Sequence, residues 1–325
     1  MKTEFDNRKS KIQSKIRNRK YGRLAKVTNL RLKRRKEKRY QLHKRVVAII
    51  FALSVIAIVV VMWSRHRDKE RTIQAQNEMS EAVSEIRENE TKEPMELPVA
   101  GIERVFQDIF KNAQERSTTA EMLLEYQSLY EQNSDMIGWL KIEGTVIDYP
   151  VMQTMEDEDY YLEYDFDKEP NSNGSLIMDT DSVVGSGTKA DSYYNGTATS
   201  TNLIIHGHTM KSGLMFGGLK QYAEESYGMD HSMIYFDSLY ERREYQLIAV
   251  FYSQVYMNTD DVFKYYKFFQ ADTQEEFDDW YDNIKTMSLY DTGVEAAFGD
   301  EFLTLSCCYY QVEDGRFVVV AKRIK

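Results

Sequence analysis

The sequence predicts a mainly β domain, closed into a barrel or sandwich, with one helix at its N-terminal end and a second inserted before the last strands. A single transmembrane helix precedes it. Three observations carry this reading. Short alternating or β-branched runs separated by Gly, Asn and Asp clusters fill the C-terminal part, one unbroken apolar run lies near the N-terminus, and charge is split sharply on either side of that run.

Residues 1–45 hold 19 Lys and Arg against three acids (Glu4, Asp6, Glu37), a net of +16, so the chain's −10 leaves −26 for the remainder. The apolar run follows at once. Val46 to Trp63, VVAIIFALSVIAIVVVMW, has Ser54 as its one polar residue. At ~1.5 Å per residue such a helix spans about 27 Å, close to the ~30 Å hydrocarbon core of a bilayer, which excludes a plain cytosolic protein. A cleaved signal peptide would have a far shorter charged region ahead of it, and SRHRDKERT after Trp63 offers no small-x-small cleavage site. The positive-inside rule keeps the basic tail cytoplasmic and places residues 64–325 outside the cell membrane. The dense run RLKRRKEKR is read as a topology signal that meets anionic lipid, in preference to a nucleic-acid-binding segment.

Residues 64–100 are polar, rich in Glu, and contain Pro94 and Pro98; they are expected to be a stalk or linker, with at most a short helix around Met79, Ala82, Val83 and Ile86. The folded domain is expected over 101–325. It opens with helical spacing at Met122, Leu123, Tyr126, Leu129 and Tyr130, with Thr118 and Glu121 as a capping box. Strands are then expected in TVIDYPVM, GSLIMD, NLIIHGH, YQLIAVFYSQVY, EFLTLSCCYY and RFVVVAK. One helix interrupts them, where Phe277, Trp280, Tyr281, Ile284 and Met287 share a face behind a second capping box, Thr273 with Glu276.

The chemistry starts from the two cysteines, Cys307 and Cys308. Neighbours ~3.8 Å apart at Cα do not meet disulfide geometry, which wants ~5.5 Å, so at least one is a free thiol. Strand alternation puts Leu303, Leu305 and Cys307 on an apolar face and Thr304, Ser306 and Cys308 on a polar one. Cys307 is then a small core residue, and Cys308 stands at a strand end where it meets substrate. A nucleophilic cysteine needs a proton partner and a group to hold charge on the attacked carbonyl oxygen. His208 emerges at the end of the NLII strand. His66 belongs to the juxtamembrane segment, and His231 reads as a surface residue. Arg316 follows Cys308 across a turn with Asp314-Gly315, a hairpin spacing that lays the guanidinium beside the cysteine.

TLSCC followed by RFVVVAK resembles the sortase signature Thr-Leu-Ser-Thr-Cys with an arginine on the next strand, and NLIIHGHTMKSGLMFGGLK resembles the segment carrying the sortase histidine. GWLKIEGTVIDYPVMQ, YYLEYDFD, GSLIMD and the helix at Phe277 to Met287 are similar to class B sortases. The resemblance spans about 102–325 and implies a closed β-barrel. It matches the family's nucleophile to Cys308, its histidine to His208 and its arginine to Arg316. Cys307 stands where the family usually has Thr, and His206 where relatives often carry Tyr. The implied activity is cysteine transpeptidation on surface proteins bearing a C-terminal sorting signal, with an amine of peptidoglycan, of lipid II or of a pilin lysine as acceptor. Loops near 180–200 and 253–270 are expected to select the signal. No cofactor, metal or nucleic acid is expected. Two other readings compete: a metal-dependent cell-wall hydrolase, because His206 and His208 at i and i+2 share a strand face, and a non-enzymatic membrane-tethered binding domain using a Tyr-rich surface.

Overall fold

The alternating runs become eight strands: β1 (Met136–Lys141), β2 (Asp148–Met152), β3 (Leu176–Met178), β4 (Asn202–Gly207), β5 (Met233–Ser238), β6 (Glu244–Gln254), β7 (Phe302–Cys308) and β8 (Gly315–Arg323). The computed structural model describes residues 2–92, 121–185 and 199–325. Two compact units divide the chain, Met1–His66 and Arg67–Lys325.

Helix α1 (Lys2–Lys92) carries the whole apolar run in its first-unit part, with side chains exposed along Val46 to Trp63. Ser54 Oγ donates back to the Ile50 carbonyl at 2.9 Å, so the one hydroxyl in the run is satisfied within the helix. Among the described residues, α1 is the one helix long and apolar enough to cross a membrane.

In the second unit the strands close into a barrel in the order β1-β2-β3-β4-β7-β8-β6-β5, with β5 pairing back onto β1. Most neighbours are antiparallel, but β2 with β3 and β4 with β7 are parallel. Alternation sorts β7 and β8 into two cores. Leu303, Leu305, Cys307, Phe317 and Val319 fill the barrel interior. Phe302, Val318 and Val320 point outward into a second layer under helix α5 (Gln274–Met287). That double burial explains why RFVVVAK reads as a continuous apolar run. On α5 the expected face is the buried one: Phe277, Trp280 and Ile284 sit against the barrel, each worth ~1.5–3 kcal/mol of burial. Thr273 and Glu276 form the reciprocal capping box that starts this helix.

Sequence and structure part at several points. Helix α2 (Leu124–Gln132) begins after Leu123, so Glu121 lies ahead of the helix and does not cap its first turn; Thr118, Pro94 and Pro98 lie outside the described residues. β1 and β5 have no counterpart among the strands expected from alternation alone. Gly138 interrupts the apolar pattern of β1, and a Cβ there would meet the Asp237 carbonyl of β5 at 2.3 Å, so close approach of the two strands requires glycine. Two short helices, α3 (Tyr160–Glu163) and α4 (Glu225–Asp230), also appear between strands.

The segment expected as a stalk is helical through Lys92, and from Asp68 onward it docks on the barrel. Val83 is buried with Tyr126 and Leu129. Most of the docking is polar. Ser172 Oγ donates to Asp68 at 2.9 Å, Asn173 Nδ2 to Thr72 at 3.0 Å, and Ser80 Oγ to Asp148 at 2.7 Å. Arg87 pairs with buried Glu125 at 3.0 Å and with Asp237, whose carboxyl also accepts from Tyr126 at 2.8 Å. The apolar part of this docking is short, Val83 with Met79 beside it, on the helical face that the sequence marks, and the polar contacts with distant residues are what its period could not show.

Loss of the α5 cap is measurable. Thr273→Ala should lower unfolding free energy by about 1 kcal/mol, read as a lower denaturation midpoint with unchanged slope; an unchanged midpoint would deny the cap that role.

Candidate active site

The parallel ladder of β4 and β7 runs from Asn202–Phe302 to Gly207–Cys307, so both strands end at the same rim of the barrel. Antiparallel β8 starts there, and its register pairs Arg316 with Cys308. The hairpin spacing read from sequence is therefore the observed one. His208 leaves β4 one residue past the ladder. Gly207 makes that exit possible, because a Cβ at this position would lie 2.5 Å from Leu176 and 2.7 Å from Phe216. Cys308, His208 and Arg316, all half-buried, line one cleft of about 330 Å³.

The cleft holds each group differently. Arg316 Nη1 donates to the carbonyls of Asp314 at 3.3 Å and Gly315 at 3.1 Å, which steadies the guanidinium on its own turn. His208 Nε2 lies 2.9 Å from the Leu162 carbonyl of α3. A carbonyl only accepts, so Nε2 carries the hydrogen and a neutral His208 keeps its lone pair on Nδ1. Thr209 Oγ1 donates to the Cys308 carbonyl at 2.6 Å.

The polar face of β7 is not open to water as its composition implies. Thr304 donates to Asn202 at 2.9 Å and Ser306 shares a 2.7 Å hydrogen bond with Tyr265, both under the outer layer, so Cys308 is the half-open residue at the end of that face. Cys307 faces the barrel interior at 2% exposure, where burial pushes its thiol up to about 11. Both thiols are free.

His206 donates through Nε2 to Asp179 at 3.0 Å inside the same cleft. Burial raises the Asp179 carboxyl, but hydrogen bonds from His206 and from the Asp181 amide outweigh it and hold the group below the usual carboxylate range. The Nε2 atoms of His206 and His208 thus face a carboxylate and a carbonyl separately, and among the described residues no group of three His, Cys, Asp or Glu is placed to hold a metal ion. His231 lies away from the cleft, stacked on Tyr227 at 4.1 Å.

Sequence reading missed Asp179, Leu162 and Thr209 as members of this region. Asp179 directly follows the β3 run and Thr209 directly follows His208, but their partners sit 27 and 99 residues away, beyond any local spacing rule. Of the loops expected to select substrate, Val255, Tyr265, Tyr266 and Lys267 do line the cleft, as does Asp181; residues 186–198 lie outside the described residues.

No family model matches the chain. Among curated proteins it is similar to sortase B of Listeria monocytogenes, 31% identical over 218 residues that cover 66% of this chain and 80% of that protein. Among solved structures it resembles a Staphylococcus aureus sortase B–substrate complex, with TM-score 0.53, 27% identity, and coverage of 69% of this chain and 93% of that one. It also resembles a sortase B complexed with triglycine, with TM-score 0.52, 28% identity, and coverage of 69% and 94%.

The two thiols should react unequally. At pH 8 a thiol titrating near 11 is about one part in a thousand thiolate, so iodoacetamide should add one label, mapping to Cys308. Equal labelling of both cysteines in folded protein would contradict the placement of Cys307.

Proposed function

The chain belongs to the sortase B family, and we propose that it is a membrane-anchored cysteine transpeptidase in which Cys308 is the nucleophile, His208 the general acid and base, and Arg316 the oxyanion and substrate-positioning group. The observation that carries this reading is the meeting of Cys308, its ladder partner Arg316 and His208 in one cleft at the barrel rim.

In the first half-reaction the Cys308 thiol passes its proton to His208 and the resulting thiolate attacks the carbonyl carbon of a threonine in a sorting peptide. Charge builds on the carbonyl oxygen, where donors fixed beforehand lower the barrier most. A guanidinium already held by the Asp314 and Gly315 carbonyls reorganises little when it donates there. Collapse of the adduct breaks the C–N bond, the leaving amine takes a proton from His208, and a thioester remains on Cys308. In the second half an acceptor amine gives its proton to His208 and attacks the thioester carbon; the S–C bond breaks and the new amide leaves. The relative complexed with triglycine supports an acceptor with a free amino group. A peptidoglycan, lipid II or pilin-lysine amine fits that chemistry, and water takes its place slowly when no amine is present.

The helix spanning Val46 to Trp63 would anchor the enzyme with the basic tail in the cytoplasm, in contact with anionic lipid, and the barrel outside, facing surface proteins with a C-terminal sorting signal.

Incubation with a library of Thr-containing pentapeptides should give an acyl adduct on Cys308 by mass spectrometry, absent in Cys308→Ala. An adduct on Cys307 would move the nucleophile while keeping the family. Arg316→Gln should keep the fold and lower turnover by about 10²–10³; turnover within twofold of the parent would remove Arg316 from the oxyanion role.

A further inference from the structure

We propose that Thr209 is a positioning residue for the reacting pair, its hydroxyl holding the His208 turn against the end of β7. The inference rests on the roles given to Cys308 and His208 above.

The β4–β7 ladder ends at Gly207–Cys307. Beyond that pair the backbone of β4 turns away: the amides of Met210 and Phe216 both donate to the His208 carbonyl, at 3.1 and 3.0 Å, and Thr209 bridges to Met215. His208 is therefore the first residue of a turn, and the ladder no longer sets its distance from β7. Thr209 Oγ1 restores the connection by donating to the Cys308 carbonyl at 2.6 Å, from a half-buried position. His208 is bracketed by a backbone ladder on one side and a side-chain hydrogen bond on the other, and both attach to the segment that carries the thiol. The Leu162 carbonyl holds the ring through Nε2. A proton relay between imidazole and sulfur is steeply sensitive to such spacing, since a displacement of about 1 Å costs up to about 10² in rate. The hydroxyl acts on the reaction through the geometry of its neighbours and touches no reacting atom.

The test uses the full chain in detergent micelles and the second-order rate of Cys308 alkylation by iodoacetamide, followed by peptide mapping. Thr209→Val keeps the branched shape and removes the donor; it should slow alkylation roughly tenfold, and Thr209→Ser should return it to within twofold of the parent. In a His208→Ala background, Thr209→Val should change nothing further. A Thr209→Val rate equal to the parent's, or the same slowing in the His208→Ala background, overturns the proposal. So does a thermal transition lost in Thr209→Val and Thr209→Ala but kept in Thr209→Ser, which would assign the bond to stability alone. A parent whose Cys308 takes no label, or a His208→Ala rate equal to the parent's, overturns the underlying catalytic reading. A slow His208→Ala beside a fast Thr209→Val overturns only the role of Thr209.

Discussion

The parallel pairing of β4 with β7 is the constraint on which this site depends. Two parallel neighbours end at the same rim, so the exit of β4 at Gly207 and the end of β7 at Cys308 arrive together. An antiparallel pairing would put them at opposite ends of the barrel. Parallel strands need a crossover connection, and here the chain inserts β5, β6 and α5 between β4 and β7. Closure entropy grows only logarithmically with the length of such a connection. The long excursion therefore costs little more than a short one and leaves behind the strands that complete the barrel and the helix that roofs it.

The outer layer does a second job. Without α5 and the segment around Tyr265, the outward face of β7 and β8 would expose Phe302, Val318 and Val320 beside Thr304 and Ser306. Covering the apolar residues buries two hydroxyls, and each would cost about 1–3 kcal/mol if left without a partner. Asn202 and Tyr265 supply those partners. A slip of β7 by one residue would remove both bonds and exchange the faces of Cys307 and Cys308, so the same hydrogen bonds that satisfy the layer also keep Cys307 in the core and Cys308 off it.

Local patterns made much of this legible. The α5 face from Phe277 to Ile284, its Thr273 cap, and the strands around β4, β6, β7 and β8 depend on residues within a few positions of one another, as does the hairpin that pairs Cys308 with Arg316. What stayed hidden depends on partners distant in sequence. Gly138 makes β1 look like a break until β5 is laid beside it. Residues 68–92 look like a free polar segment until Asp148, Asn173 and Glu125 are placed opposite them. Asp179 and Leu162 reach the cleft from separate connections, and only the closed barrel makes them neighbours. The polar face of β7 was the misleading case, because alternation tells which residues share a side and not whether water or another layer covers it.

The opposed directions of Cys307 and Cys308 bear on oxidative chemistry. These are the chain's only cysteines, and Cys307 is packed into the barrel core while Cys308 is the half-buried one at the cleft. A sulfenic acid formed on Cys308 by peroxide is normally rescued by condensation with a nearby thiol. Here the neighbouring thiol is buried and kept protonated by that burial, and adjacent Cα atoms do not meet disulfide geometry, so neither cysteine resolves the other. Recovery of an oxidised Cys308 would fall to a thiol supplied from outside the protein, and where none is at hand its half-open position in the cleft leaves it open to irreversible over-oxidation.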